Sequence, residues 1–325
     1  MTATIPDREG TEASVTAPQA PAPTPARRRR ATPTPAPSLA RPPRPGDDLW
    51  TVVSAGGAMV ALVCLWVLAQ VLFLSGLSQA RSQDLLYSEL RTSIAGDPNI
   101  VAPVGPTVPV GDPVALLSIP RLGVSQVVVE GTSSADTLAG PGHLRRTVLP
   151  GQTGTSVVMG RAATYGAPFA EIGELRPGDT IDVTMAQGSV TYEVVDVRRA
   201  GDPLPQPLPA GQSRLVLATA TGSGPLAALT PGDVLYVDAD APKGFNPPSG
   251  LPTAVPESEQ LMQNDPGVYP LLALHLALLL AVTLGIVAAR QRWSAPLVWI
   301  VATPVALALA WSTTDVVMRL LPNVV

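Results

Sequence analysis

The chain has 325 residues, with 21 Lys and Arg against 25 Asp and Glu, a mild acidic excess that argues against a nucleic-acid partner. Its single cysteine, Cys64, lies inside an apolar run, which excludes a disulfide framework and a cysteine-built metal site. Three long apolar stretches and two Pro-rich stretches leave room for one globular domain of roughly 130 residues, an ordinary domain size, held by its own core.

Residues 1–48 are rich in Pro, Ala and Thr and poor in large apolar side chains, so they predict a disordered tail. Arg27 to Arg30, then Arg41 and Arg44, place positive charge just before the first apolar stretch. That stretch, residues 49–77, carries no charge and is long enough to cross a bilayer of ~30 Å. It starts too far into the chain and is too long for a cleavable signal peptide. The arginines predict a cytoplasmic tail by the positive-inside rule. Residues 78–113 read as a linker, with a short polar helix over Ala80 to Arg91 and a Pro/Gly/Val spacer after it.

From residue 114 to 241 the pattern changes to short β-like runs separated by turn signals. Ala115–Ile119 and Gln126–Val129 flank the turn Pro120-Arg121-Leu122-Gly123, and Ser134–Leu138 suits a helical turn or two. Ile181, Val183 and Met185 alternate with Asp182 and Thr184, a period of two that buries one face. A Gln187-Gly188 turn then predicts a hairpin with Val190–Val197. Ser156–Met159, Arg214–Ala220 and Val234–Ala239 complete the set. Without helix–strand alternation, the class is all-β: a closed barrel of about eight short strands with one minor helix, flanked by transmembrane helices.

Residues 242–268 form a second Pro-rich linker, and 269–289 and 294–318 are further spans separated by a short basic loop with Arg290 and Arg292. Pro304 falls inside the last span, where a missing backbone donor predicts a kink. Three spans with both basic clusters in the cytoplasm put the barrel outside the plasma membrane. His275, early in the second span, is expected to hydrogen-bond a neighbouring helix.

Several segments together resemble the sortases, the cell-surface cysteine transpeptidases of Gram-positive bacteria. Leu117-Ser118-Ile119-Pro120-Arg121-Leu122-Gly123 is similar to the family's first-strand signature. Val128-Val129-Glu130-Gly131-Thr132, Gly140-Pro141-Gly142-His143 and Pro150-Gly151-Gln152-Thr153-Gly154 match the segments that follow it. Met159-Gly160-Arg161-Ala162-Ala163-Thr164-Tyr165-Gly166-Ala167-Pro168-Phe169 resembles the stretch where a family strand delivers its catalytic histidine. The resemblance covers 114–241 and is closest to the class D and E types. The scarcity of lysine beside abundant Ala, Pro, Gly and Arg suits a GC-rich, actinobacterial genome.

The family's reaction needs a thiolate nucleophile, a proton donor and acceptor, and a cation for the oxyanion. The resemblance sets Arg161 at the family's His position, Ala220 at its Cys and Asp233 at its Arg. Arginine stays protonated and cannot act as a base. Cys64 belongs to the first span. Thr219, Thr221 and Ser223 bracket the vacant nucleophile position without a base to activate them. His143 reads as a satisfied loop histidine, and together with Thr164, Tyr165, Thr219 and Thr221 it is a candidate cleft residue. Arg161 has three open readings: a carboxylate ligand, a partner for Asp233, or a surface arginine at a strand end.

The expectation is therefore a membrane-anchored, extracytoplasmic sortase-like pseudoenzyme, not an enzyme, with no cofactor or metal. Its partners would be the membrane and a sorting-signal-like peptide, a surface protein or an active sortase. One alternative is an active sortase-type transpeptidase that attaches surface proteins to the cell wall through an unusual nucleophile. The other is a purely structural membrane subunit.

Overall fold

The computed structural model describes residues 49–70, 74–95, 108–222, 232–252 and 254–325. Ser223 and the expected tail 1–48 lie outside them, as does the spacer 96–107. Helix α1 (Leu49–Ala69) and helix α2 (Ser75–Ile94) precede the barrel. Its strands are β1 (Pro113–Ile119), β2 (Val124–Glu130), β3 (Gly142–His143), β4 (Gly154–Met159), β5 (Thr180–Met185), β6 (Gly188–Arg199), β7 (Ser213–Ala220) and β8 (Val234–Ala241). Helices α3 (Tyr269–Arg292) and α4 (Ala295–Met318) follow.

The strands close in the order β1-β2-β3-β4-β7-β8-β6-β5, an all-β barrel. β1 turns into β2 through a 3-10 turn at Pro120–Leu122, and Gly123 at φ 65° occupies the left-handed conformation that such a turn demands. Ser134–Leu138 contributes only the 3-10 turn Asp136–Leu138, so the minor helix shrinks to a single turn. The alternation read in β5 is real: Ile181, Val183 and Met185 are buried and pair through a hairpin with β6. β7 is buried along its whole length, as expected of a strand covered on both faces. Leu117, Ile119, Val158, Phe169, Leu215 and Leu217 meet in the interior.

Two features position the site. β4 and β7 run parallel and in register from Gly154↔Ser213 to Met159↔Ala218, so both deliver their following residues to the same barrel mouth. Helix α2 lies against β2, where Gln79 Nε2 donates to Gln126 Oε1 at 2.6 Å. Gln83 accepts from Val127 N at 2.6 Å and donates to the carbonyls of Val127 and Ala139. This helix is longer than the short one expected within the linker, and its glutamines at i and i+4 form the face that holds it to the sheet.

Among the described residues two helical stretches are long and apolar enough to cross a membrane, Pro266–Ala289 and Pro296–Met318. The apolar helical stretch Gly57–Ala69 is shorter, so the three-span count goes beyond what the described helices support. His275 turns onto its own helix, donating from Nδ1 to Leu271 O at 2.8 Å, instead of reaching a neighbour.

Candidate functional site at the mouth between β4 and β7

Gly160 to Phe169 carries the chain out of β4 in a tight loop. A Cβ on Gly160 would stand 2.4 Å from Phe169 Cδ2, so the ring seats against bare backbone there. Tyr165, Gly166 and Ala167 all have positive φ (49°, 75° and 43°), a strained run that tertiary contacts must hold. Phe169 N closes it by donating to Arg161 O at 3.0 Å.

Arg161 sits at the base of this loop and is fully buried. Its Nη2 donates to Ser134 O and Ser134 Oγ, both at 2.9 Å. Its Nη1 donates to Thr164 Oγ1 at 3.0 Å and to Val325 O at 2.9 Å. The Nε hydrogen has no partner, and among the described residues no Asp or Glu side chain pairs with this guanidinium. Burial drives the Arg161 pKa down to about 10, with a small opposing contribution from Tyr165. Both the surface reading and the Asp233 reading are thus corrected. Asp233 is exposed and offers its main-chain oxygen to Thr221 N and Thr221 Oγ1, at 2.7 and 2.8 Å.

The mouth is occupied by the chain itself. After α4, Asn323 donates from Nδ2 to Thr132 O at 2.7 Å and to Gln260 O at 2.9 Å. Val324 O then accepts from Ala162 N at 3.1 Å and Ala220 N at 3.4 Å, bridging the ends of β4 and β7. Val325 O accepts from Arg161 and, at 2.6 Å, from the Thr164 hydroxyl. Val324 and Val325 bury their side chains against Leu144, Met159, Ala218 and Ala220. Ser134 Oγ donates to Leu321 O at 2.8 Å, and Tyr165 OH donates to Asp315 Oδ1 at 3.0 Å. Burial, reinforced by Asp315, raises the Tyr165 pKa and keeps the phenol a donor.

The other expected cleft residues scatter. Thr219 is buried, with its hydroxyl spent on Gly160 O at 2.8 Å. Thr221, one residue past Ala220, remains reachable from solvent. His143 is buried away from the mouth, its Nδ1 2.8 Å from Glu130 Oε2. Its Nε2 faces Val148 O at 2.8 Å and therefore carries a hydrogen, since a carbonyl can only accept. The Thr147 hydroxyl lies 3.0 Å from that nitrogen but donates to Leu144 O, so this Thr–His–Glu line is structural. Cys64 lies on α1. Among the described residues no group of His, Cys, Asp or Glu is placed to hold a metal. Ser134 and the segment 322–325 had no signal in the sequence as site components. Only the folded chain brings them to Arg161.

A mouth where two parallel strands of a closed eight-stranded barrel end, covered by the chain's own residues 322–325, places the domain among the closed β-barrels. Residues 117–222, which span β1 to β7 of the barrel, match the Sortase domain. Sortase D of Bacillus subtilis (strain 168) is 32% identical over 88 residues, which are 27% of this chain and 43% of that protein. The chain thus spans less than half the length of that relative. A Clostridium perfringens Sortase D5 transpeptidase is 18% identical in a match over 50% of this chain and 97% of that one, with a TM-score of 0.38. Sortase E from Streptomyces avermitilis is 28% identical over 47% of this chain and all of that one, with a TM-score of 0.34.

These matches correct the expectation that the chain is not an enzyme, since the domain they identify is that of the sortases. The expectation rested on the joint absence of a thiolate, a base and an oxyanion cation at the family's three positions, with no substitute among Cys64, His143, Thr219, Thr221 and Ser223. Activation of a peptide carbonyl depends on donors converging on one oxygen, and Arg161 and Thr164 do converge on one.

Proposed function

We propose that this protein is a membrane-anchored transpeptidase of sortase type that works on surface polypeptides. In this reading an extended peptide lies between the ends of β4 and β7, as residues 322–325 do. Arg161 and Thr164 polarise its carbonyl, a hydroxyl adds to the carbonyl carbon, and the scissile C–N bond breaks as the departing amine takes the hydroxyl proton; an incoming amine then displaces the ester oxygen, which takes one of that amine's protons. The observation that carries the reading is the pair of donors at 2.9 and 2.6 Å from one main-chain oxygen, that of Val325, in a barrel whose residues 117–222 match the Sortase domain. Donors in such a dry site resemble an oxyanion hole, where each contributes roughly 2.7–4 kcal/mol to the transition state. With the one cysteine on α1, the acyl acceptor in this reading is a hydroxyl, and Thr221 is the one within the described mouth that solvent reaches.

The proposal extends to the membrane. Helices α3 and α4 anchor the chain, α1 adds a third span, and the arginines at 27–30, 290 and 292 keep those ends cytoplasmic with the barrel outside. The stretch Pro266–Ala289 is almost uncovered by protein, which suits contact with lipid.

The test is incubation of the purified full chain with sorting-signal-type peptides and an amine acceptor. The expected result is an acyl adduct on Thr221 by mass spectrometry and amide product, both lost in Thr221→Ala. Turnover no greater than in a protein-free control, with no adduct, would overturn the reading.

A further inference from the structure

A buried arginine normally sits against a carboxylate, because an uncompensated guanidinium in a dry site is costly. This barrel follows that rule elsewhere. Arg214 grips Asp240 in a two-point fork at 2.6 and 2.7 Å, and Arg198 Nε reaches Asp238 at 2.6 Å. Arg161 departs from it, being the most deeply buried of the three and lacking any Asp or Glu partner among the described residues. Its Nη donors are satisfied by hydroxyls and main-chain oxygens, one of them Val325 O, while its Nε is left over. Such a group is a receptor, held ready for an oxygen that another segment brings.

We propose that the segment Pro322–Val325 is an intramolecular occupant of the peptide groove, a plug that competes with any peptide arriving in trans. Three observations point the same way. Val324 O takes the amides of Ala162 and Ala220, one from each strand end, as an incoming extended chain would. Val324 and Val325 fill the apolar floor made by Leu144, Met159, Ala218 and Ala220. Asn323, held by Thr132 O and Gln260 O, fixes the register, so the seat is specific and not a loose end lying on a surface.

The segment hangs from α4, whose Asp315 holds Tyr165 of the strained loop. Movement of the helical anchor against the barrel would withdraw both contacts together. The peptide the groove accepts is therefore extended and apolar, with a main-chain oxygen for Arg161. In cis, the plug sits at an effective concentration on the order of millimolar, so a peptide that binds the empty groove at ~100 µM should bind the plugged one about tenfold more weakly.

The consequence for turnover rests on the transpeptidase reading above, but the experiment reads binding and is independent of it. A fluorescein-labelled peptide Leu-Leu-Pro-Asn-Val-Val, with a scrambled control, is titrated in detergent against the full chain and against a variant lacking Leu321–Val325. The shortened chain should bind it saturably and at least about tenfold more tightly than the full chain, and Arg161→Met in the shortened chain should abolish binding. Equal binding by the two chains, or no binding by a shortened chain that still melts cooperatively, overturns the proposal.

If the deletion costs the fold, Asn323→Ala in the full chain takes its place. Amide exchange at Ala162 and Ala220 should then quicken at least about tenfold while the interior of β7 is unchanged, roughly the loss of one cooperative local contact. Unchanged exchange at both amides also overturns it. Peptide binding without acyl transfer would sink the transpeptidase reading alone.

Discussion

The seam between β6, β7 and β8 and the mouth between β4 and β7 handle buried charge in opposite ways. At the seam, Asp238 is fully buried between strands and holds Arg198, which also stacks over the Tyr236 ring at 4.3 Å. Arg214 beside it is pinned by Asp240 and by Gln206 O, and the Asp240 hydrogen bonds raise its pKa. At the mouth, Arg161 has no Asp or Glu partner among the described residues and is held by Ser134, Thr164 and the Val325 oxygen, and burial lowers its pKa instead. A paired guanidinium is finished with its neighbours and serves the fold. One held by hydroxyls and main-chain oxygens in a dry pocket is tied to the segments that bring them, here Ser134 and residues 322–325.

The contrast breaks most sharply at Asp238. Asp238→Ala strips Arg198 of its carboxylate inside the barrel wall and is expected to cost about 3 kcal/mol, read by denaturant unfolding. A loss below about 1 kcal/mol, the surface-pair range, would mean that the seam is no better built than the exposed Arg121–Asp179 pair. Arg161→Met should do far less, staying within about 1 kcal/mol of the parent, because a thioether of similar length takes a desolvated guanidinium out of the dry site along with its hydrogen bonds. Its effect should appear locally, as faster amide exchange at Ala162 and Ala220. A large global loss would place Arg161 with the structural arginines.

The smallest effect is a pH dependence at Asp136, beside the mouth. Burial raises its pKa above 3.8, opposed by hydrogen bonds from Ser133 and by Arg145, with Glu259 adding to the rise. A carboxyl raised in the folded state binds more protons there than in the unfolded chain. Its contribution to stability is full below pH 3.8 and is lost as pH rises through the folded value. The stability of the parent relative to Asp136→Asn should therefore decline as pH climbs from below 3.8, and a flat difference across that range would remove Asp136 from the acid response.

Much of the architecture was legible in the sequence, for a local reason. The period-two alternation of Ile181, Val183 and Met185 records a face, and Gly123 records a turn. The apolar lengths of α3 and α4 were equally plain, because length and composition are properties of a single segment. The candidate site was legible in part. Arg161, Thr164 and Ala220 do meet, since the end of a buried strand has few places to go. Asp233 and His143 do not join them: the first is exposed just before β8, and the second is already held by Glu130 and Val148.

Residue types at the family's three reactive positions pointed away from catalysis, and that expectation is overturned by the match of residues 117–222 to the Sortase domain. The sequence by itself determined the strands, the barrel and the apolar helices, each written in the spacing of neighbouring residues. Only the tertiary structure decided what fills the mouth. Arg161 and Val325 stand 164 residues apart, and their meeting depends on the barrel closing and on α3 and α4 bringing the chain back to it. No local period carries a contact of that range, since it forms only after all the intervening elements have packed.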